Sequence, residues 1–153
     1  AGEMKVLIAS RSEGLAIIAM EVIRKTGLQM SIVKDVSACL GHASHSIRNA
    51  AEETLKDIGS ICKLANPQVA KQAIAFIAAH VTDPRWFVRW SAMRVLLEAT
   101  SSGDRDVEKS VINILTAHQK HKNRQVQDVA KWAITRLAAK DSILDLCDIA
   151  LTA

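Results

Sequence analysis

Cys39, His42 and His45 stand three residues apart, and His118 and His121 repeat that interval later in the chain. Thiolate and imidazole are the donor types of zinc sites. A closed site needs four such donors at one point, and the chain has no Cys-x-x-Cys pair to anchor one. Ligands drawn from separate turns would also lie too far apart for a single tetrahedron. Histidines at helix ends, interacting with the terminal carbonyls, are the simpler reading, so no metal is expected. The carboxylates fare no better. Glu52 and Glu53 are adjacent, and Asp145 and Asp148 share one helical face, where solvation accounts for them. There is no Gly-rich phosphate loop, no nucleophile elbow and no acid/base pair set in a pocket. The chain therefore reads as non-enzymatic, with no cofactor.

The residues that remain are suited to recognition. Trp86, Trp90, Met93 and Leu97 form an i, i+4, i+7, i+11 stripe, beside a second apolar stripe of Val88, Ala92, Val95 and Ala99. A helix apolar on two faces is either sandwiched between neighbours or carries a docking surface. Trp and Arg together are the composition of interface hot spots. The turns nearby are basic: Arg11, His42 and His45, then Arg85 and Arg89, then Lys120, Lys122 and Arg124. Aligned along one edge they would form a positive ridge able to meet an acidic helix, an acidic tail or phosphates. The alternative is that they are merely solvated charges.

What would align those turns is an internal repeat. A shift of 38 residues lays Val69 on Val107, Ile74 on Ile112, His80 on His118, Val88 on Val126 and Ala92 on Ala130. A shift of 41 lays Leu28 on Val69, Ile47 on Val88, Arg48 on Arg89, Ala51 on Ala92 and Leu55 on Leu96. Inside each unit the interval from Leu28 to Ile47, from Val69 to Val88 and from Val107 to Val126 is the same. Constant hairpins with variable linkers are what stacking demands. The units run over 1–26, 28–65, 67–100 and 104–139, with a last helix over 141–152 capped by Asp141. Each unit splits into two amphipathic helices. Leu15, Ala19 and Ile23 mark the second helix of the first unit, and only Met4–Ile8 is left for its first helix. Ala51, Ala92 and Ala130 keep the second helices close. Asn66-Pro67 and Asp83-Pro84 start helices, Gly27 ends one, and residues 101–104 separate two units. The fold class is all-α: a right-handed solenoid of antiparallel helix pairs, incomplete at both ends, whose first and last helices contact other protein.

Composition agrees. The 153 residues are 49 % hydrophobic and 24 % charged, with two Pro, six Gly and no Tyr, which favours helix. A net charge of +4 permits an acidic partner without demanding one. Cys39, Cys62 and Cys147 are odd in number, far apart and set in apolar runs, as buried free thiols are. That suits a reducing, intracellular compartment, the cytoplasm first, with an organelle after loss of a transit peptide as the other possibility. No apolar run approaches the roughly 20 residues that span a bilayer.

The segment Asp83-Pro84-Arg85-Trp86-Phe87-Val88-Arg89-Trp90-Ser91-Ala92 resembles a HEAT repeat. In that family an Asp in the turn precedes Val-Arg and a small residue, matched here by Asp83, Val88, Arg89 and Ala92. Ile47, Arg48 and Ala51 match in the second unit, with His42 in the Asp position. The fourth unit keeps Val126 and Ala130 but has His121 and Gln127 for Asp and Arg. The resemblance covers roughly residues 15–137. It implies a scaffold whose Arg48 and Arg89 are structural, with the Asp83 carboxylate as partner. Some relatives act on DNA bases, which here would call on Trp86, Trp90 and Asp128, but nothing singles these out. Protein binding, or a place within a larger complex, is the expected function, through Arg85, Trp86, Arg89, Trp90, His45, Arg48, Lys122 and Arg124. Nucleic acid or tubulin on the basic ridge is the alternative.

Overall fold

A computed structural model describes residues 2–9 and 12–152, and the side chains of residues 3–9 and 12–139. Arg11 lies outside the described residues, as do the side chains of Cys147 and of residues 143–151. The described residues are all-helical, with no strand. The α-helices are α1 Gly2–Ile8, α2 Glu13–Thr26, α3 Val33–Ala38, α4 His45–Thr54, α5 Ile58–Leu64, α6 Pro67–Ala78, α7 Trp86–Thr100, α8 Arg105–His118 and α9 Arg124–Thr152. None is long and apolar enough to cross a membrane.

Local chemistry sets the boundaries. Ser12, Ser44 and Asp104 cap α2, α4 and α8 by accepting backbone N–H bonds, and Asn66 with Pro67 opens α6. Gly27 closes α2 at φ 104°, a conformation that a Cβ would strain. Three boundaries differ from the sequence reading. Helix α7 begins at Trp86, because the Asp83 carboxylate folds back onto the Arg85 N–H and makes a turn of the preceding residues. Helix α9 runs unbroken from Arg124 to Thr152, which places Asp141 inside a helix rather than at its start. The second helix of the 28–65 unit is interrupted by a 3-10 turn over Leu55–Asp57. That bend carries α5 under α7, where Gly59 lies so close to the Ala99 carbonyl that a Cβ would come within 2.6 Å of its oxygen.

Helix contacts follow two rows. Helices α1, α3, α6 and α8 touch in succession, and so do α2, α4, α7 and α9. Each member of one row also packs on its partner in the other: α1 on α2, α3 on α4, α6 on α7 and α8 on α9. The core lies between the rows and is continuous from Ile8 to Leu137. Ala51, Ala92 and Ala130 are fully buried.

Two core assignments change. Val69 is 40 % exposed, its place taken by Ala70, so the buried face of α6 is Ala70, Ala73, Ile74 and Ile77. Leu15 is 46 % exposed, while Ala16, Ala19, Met20 and Ile23 are buried. The reason lies in position along the row. Leu15, Ile18 and Val22 are third, sixth and tenth after the cap of α2, and all three are exposed. Their counterparts Ile47, Ala50 and Thr54 in α4, Val88, Ser91 and Val95 in α7, and Val126, Val129 and Ala133 in α9 are buried. Those later helices each have a helix before them in the row; α2 has none among the described residues.

Candidate functional site

The three described turns between paired helices are built alike. The backbone there leaves the two helices and must find partners for its N–H and C=O groups. His42 Nδ1 accepts the Ser44 N–H at 2.9 Å, Asp83 Oδ1 accepts the Arg85 N–H at 2.8 Å, and His121 Nδ1 accepts the Asn123 N–H at 3.0 Å. The turn carbonyls are served from the next helix. Arg48 Nη1 donates to the carbonyls of His42 and Ala43 at 2.7 and 2.9 Å. Arg89 Nη1 donates to those of Asp83 and Pro84 at 2.8 and 2.9 Å. Gln127 Nε2 donates to the His121 carbonyl. His and Asp are thus interchangeable at one position because each offers an acceptor, and Arg and Gln at the other because each offers a donor.

The arginines also reach across to the following turn. Arg89 Nη2 donates to Gln125 Oε1 at 3.0 Å, and the Arg48 guanidinium lies 4.5 Å from the Phe87 ring centroid. Phe87 and Gln125 are equivalent under the 38-residue shift. Arg48 and Arg89 therefore fasten successive turns to one another. The partner differs from the one expected. The Asp83 carboxylate is engaged by Arg85, at 3.0 Å from both Nε and Nη2, while Arg89 uses only the Asp83 carbonyl. The Arg85 hydrogen bonds hold the Asp83 carboxyl below its ordinary pKa. With Arg89 4 % exposed, neither of its terminal nitrogens is available to a partner.

What stays outward on this edge is Trp86, 65 % exposed on the first turn of α7 and edge-on to Phe87. His45, Lys122 and Arg124 are exposed on the flanking turns, and none makes an ion pair among the described residues. The Trp86–Trp90–Met93–Leu97 stripe is accordingly divided. Met93 is fully buried, and Trp90 and Leu97 are half-buried against the core.

Trp90 faces Trp132 of α9 at 4.6 Å between centroids, in an edge contact at 71°. Arg136 lies over Trp132 at 5.4 Å. Glu52 of α4 accepts from Ser91 Oγ at 2.9 Å and from both Arg94 Nε and Arg94 Nη2. Glu52, Trp90, Arg94, Trp132 and Arg136 line a depression of about 500 Å³ on the second-row helices. Trp132, Arg94 and Arg136 carried no signal in the repeat, because the shift that pairs the turns lays Arg94 on Trp132 and Trp90 on Asp128. Only the i, i+4 spacing of Trp132 and Arg136 hinted at a shared face.

The two described thiols, Cys39 and Cys62, are unsuited to nucleophilic work. Burial pushes Cys39 and Cys62 up to about 11, so both are protonated near neutrality. His118 Nδ1 sits 2.7 Å from the Ile114 carbonyl in the last turn of α8. His80 is held below its ordinary pKa, chiefly by burial, against the opposing pull of Asp83 and of the Ser37 backbone. Because the folded state prefers neutral His80, its contribution is complete above about pH 6.5 and falls away as the pH drops towards the lowered folded value. Urea midpoints at pH 7.5 and 5.5 are expected to differ less in His80→Gln than in the wild type. An equal difference in both proteins would remove His80 from the account.

No family model matches the chain, and no curated protein matches it. Among solved structures, the crystal structure of an engineered protein is similar, with a TM-score of 0.46 and 16 % identity. The match covers 86 % of this chain and 59 % of that one, so this chain spans little more than half of its length. That likeness assigns neither a family nor an activity.

Proposed function

We propose that the chain is a HEAT-like, right-handed helical-repeat scaffold without enzymatic activity, which binds a protein partner or sits within a larger assembly. The observation that carries this reading is Trp86. A large aromatic side chain left 65 % exposed, at the middle of an edge whose Arg48, Arg85 and Arg89 are held by the turns, is a ready anchor. Lys122 and Arg124 on one flank supply charge for an acidic rim, and His45 on the other presents an exposed imidazole. The bare Leu15, Ile18 and Val22 on α2 support a place in an assembly, since their counterparts elsewhere in the row are covered by a helix.

The test is recovery and mass determination of the native complex on immobilised wild-type chain and on Trp86→Ala, from the source organism. Loss of the anchor is expected to weaken retention of the specific partner at least tenfold, an effect of about 1.4 kcal/mol. Undiminished retention by Trp86→Ala would sink the reading. The unpaired cations favour one rival, phosphate recognition on nucleic acid. Two phosphate contacts, by Lys122 and Arg124, predict an affinity falling about 12-fold between 50 and 200 mM salt. A Trp-centred protein interface is expected to change far less over that range.

A further inference from the structure

The first helix of each row carries an apolar side that is left uncovered among the described residues. On α2, Leu15, Ile18 and Val22 form an exposed i, i+3, i+7 stripe. On α1, which packs on α2, Val6 is 71 % exposed. Burial at the stripe positions is the rule elsewhere in the row, where the preceding helix covers their counterparts in α4, α7 and α9. The stripe is thus a surface of the kind that takes a helix alongside. Its rim is already satisfied. Glu21 and Lys25 adjoin the stripe and pair with each other at 3.4 Å, and the Thr26 hydroxyl donates to the Val22 carbonyl at 2.8 Å. A partner selected by charge, of either sign, finds no unpaired charge within a turn of Ile18 on this face. An apolar stripe with an equally balanced rim does fit, and a second copy of the chain supplies one.

We infer that this face is the contact of a homodimer, in which α2 of one copy lies antiparallel on α2 of another across a twofold axis near Ile18. The inference deepens the assembly reading and rests on it, but not on Trp86. The axis sets Ile18 on Ile18 and brings Leu15 of each copy to Val22 of the other, large beside small. Antiparallel helices also oppose their dipoles. The head-to-tail alternative fails at α9. Arg48 and Glu52 of α4 reach α7, and Arg89 and Trp90 of α7 reach α9. Their equivalents on α9 are Gln127, Asp128 and Lys131, and the two charged ones are exposed. Seating Asp128 and Lys131 on Leu15 and Ile18 would strip their water with no partner in return. Copies therefore pair and close rather than string into a filament. The stripe and Val6 make a small patch beside the roughly 800 Å² a side of stable complexes, so the dimer is weak and reversible.

The test is sedimentation equilibrium of the whole chain at concentrations up to about 200 µM. A monomer–dimer equilibrium with a dissociation constant below about 100 µM is expected, with no larger species. Ile18→Asp sets two carboxylates against each other on the axis and is expected to weaken the dimer at least tenfold. Its helical melt is expected to be unchanged, since Ile18 is 56 % exposed. Lys131→Glu on α9 and Trp86→Ala at the turns are expected to dimerise as the wild type does. Trp86→Ala keeps the two contacts apart, because its loss is read in partner retention and not in the dimer. A wild type that stays monomeric at about 200 µM, or an Ile18→Asp variant that dimerises equally well, would overturn the assignment. So would species beyond the dimer that Lys131→Glu abolishes, or loss of the dimer in Trp86→Ala, which would move the contact to the turn edge.

Discussion

Arg89→Ala is expected to lower the free energy of unfolding by about 3 kcal/mol, read as a shift of the denaturation midpoint followed by helical circular dichroism. Arg89 is buried, and it makes three hydrogen bonds: to the carbonyls of Asp83 and Pro84 and to Gln125 Oε1. Charge-assisted bonds of this kind contribute roughly 1.5–3 kcal/mol each before the cost of holding the guanidinium in place is subtracted. That cost is visible in Nε, which is buried with no acceptor. Alanine leaves two turn carbonyls without their donor and removes the link to the next turn. Arg89→Gln offers a sharper comparison, because Gln127 already does the same task one unit further on. The glutamine variant is expected to recover part of the loss. A cost below about 1 kcal/mol for Arg89→Ala would mean that water replaces the guanidinium, and that the turns are not fastened through it.

How far this arrangement could be read beforehand depends on the range of each interaction. The equivalence of the turn positions was legible because every part is local, so one shift of the sequence superposes His42 on Asp83 and Arg48 on Arg89; that the histidines accept an N–H there, rather than meeting terminal carbonyls, was not. The choice of Arg85 over Arg89 for the Asp83 carboxylate was not legible. Both arginines are within reach in sequence, and the decision falls to whichever one the helix start leaves outside the core. Leu15 was misread for a different reason. Its spacing matches a core position, and in α4, α7 and α9 that position is buried, but burial there depends on a preceding helix that periodicity cannot register. The break at residues 55–57 brings Gly59 against the Ala99 carbonyl, about forty residues away in sequence, a contact that no local pattern registers. Trp132 and Trp90 likewise meet across two helices whose repeat positions do not correspond. Contacts between unlike positions of neighbouring units are where the repeat pattern is silent, and the depression on the second row is made of them.

The second large effect is expected at Ala92. Ala51, Ala92 and Ala130 occupy one position in three consecutive second-row helices, and each is fully buried. Helix α7 is hemmed in, touching α4 and α9 along its row and α5, α6 and α8 besides. Leucine at position 92 adds three carbon atoms to a side chain that has no solvent-exposed side. The chain can relieve the clash only by twisting side chains off their rotamers or by parting α7 from its neighbours, which loosens several interfaces at once. Ala92→Leu is expected to cost about 3 kcal/mol, the upper part of the usual range for overpacking. Ala117→Leu makes the same chemical change on the exposed side of α8 and is expected to stay within about 0.5 kcal/mol of the wild type. The contrast between the two measures the closeness of the second row itself. If Ala92→Leu melted with Ala117→Leu, the helices would have room to spare, and the small residues repeated at this position would not be what sets their spacing.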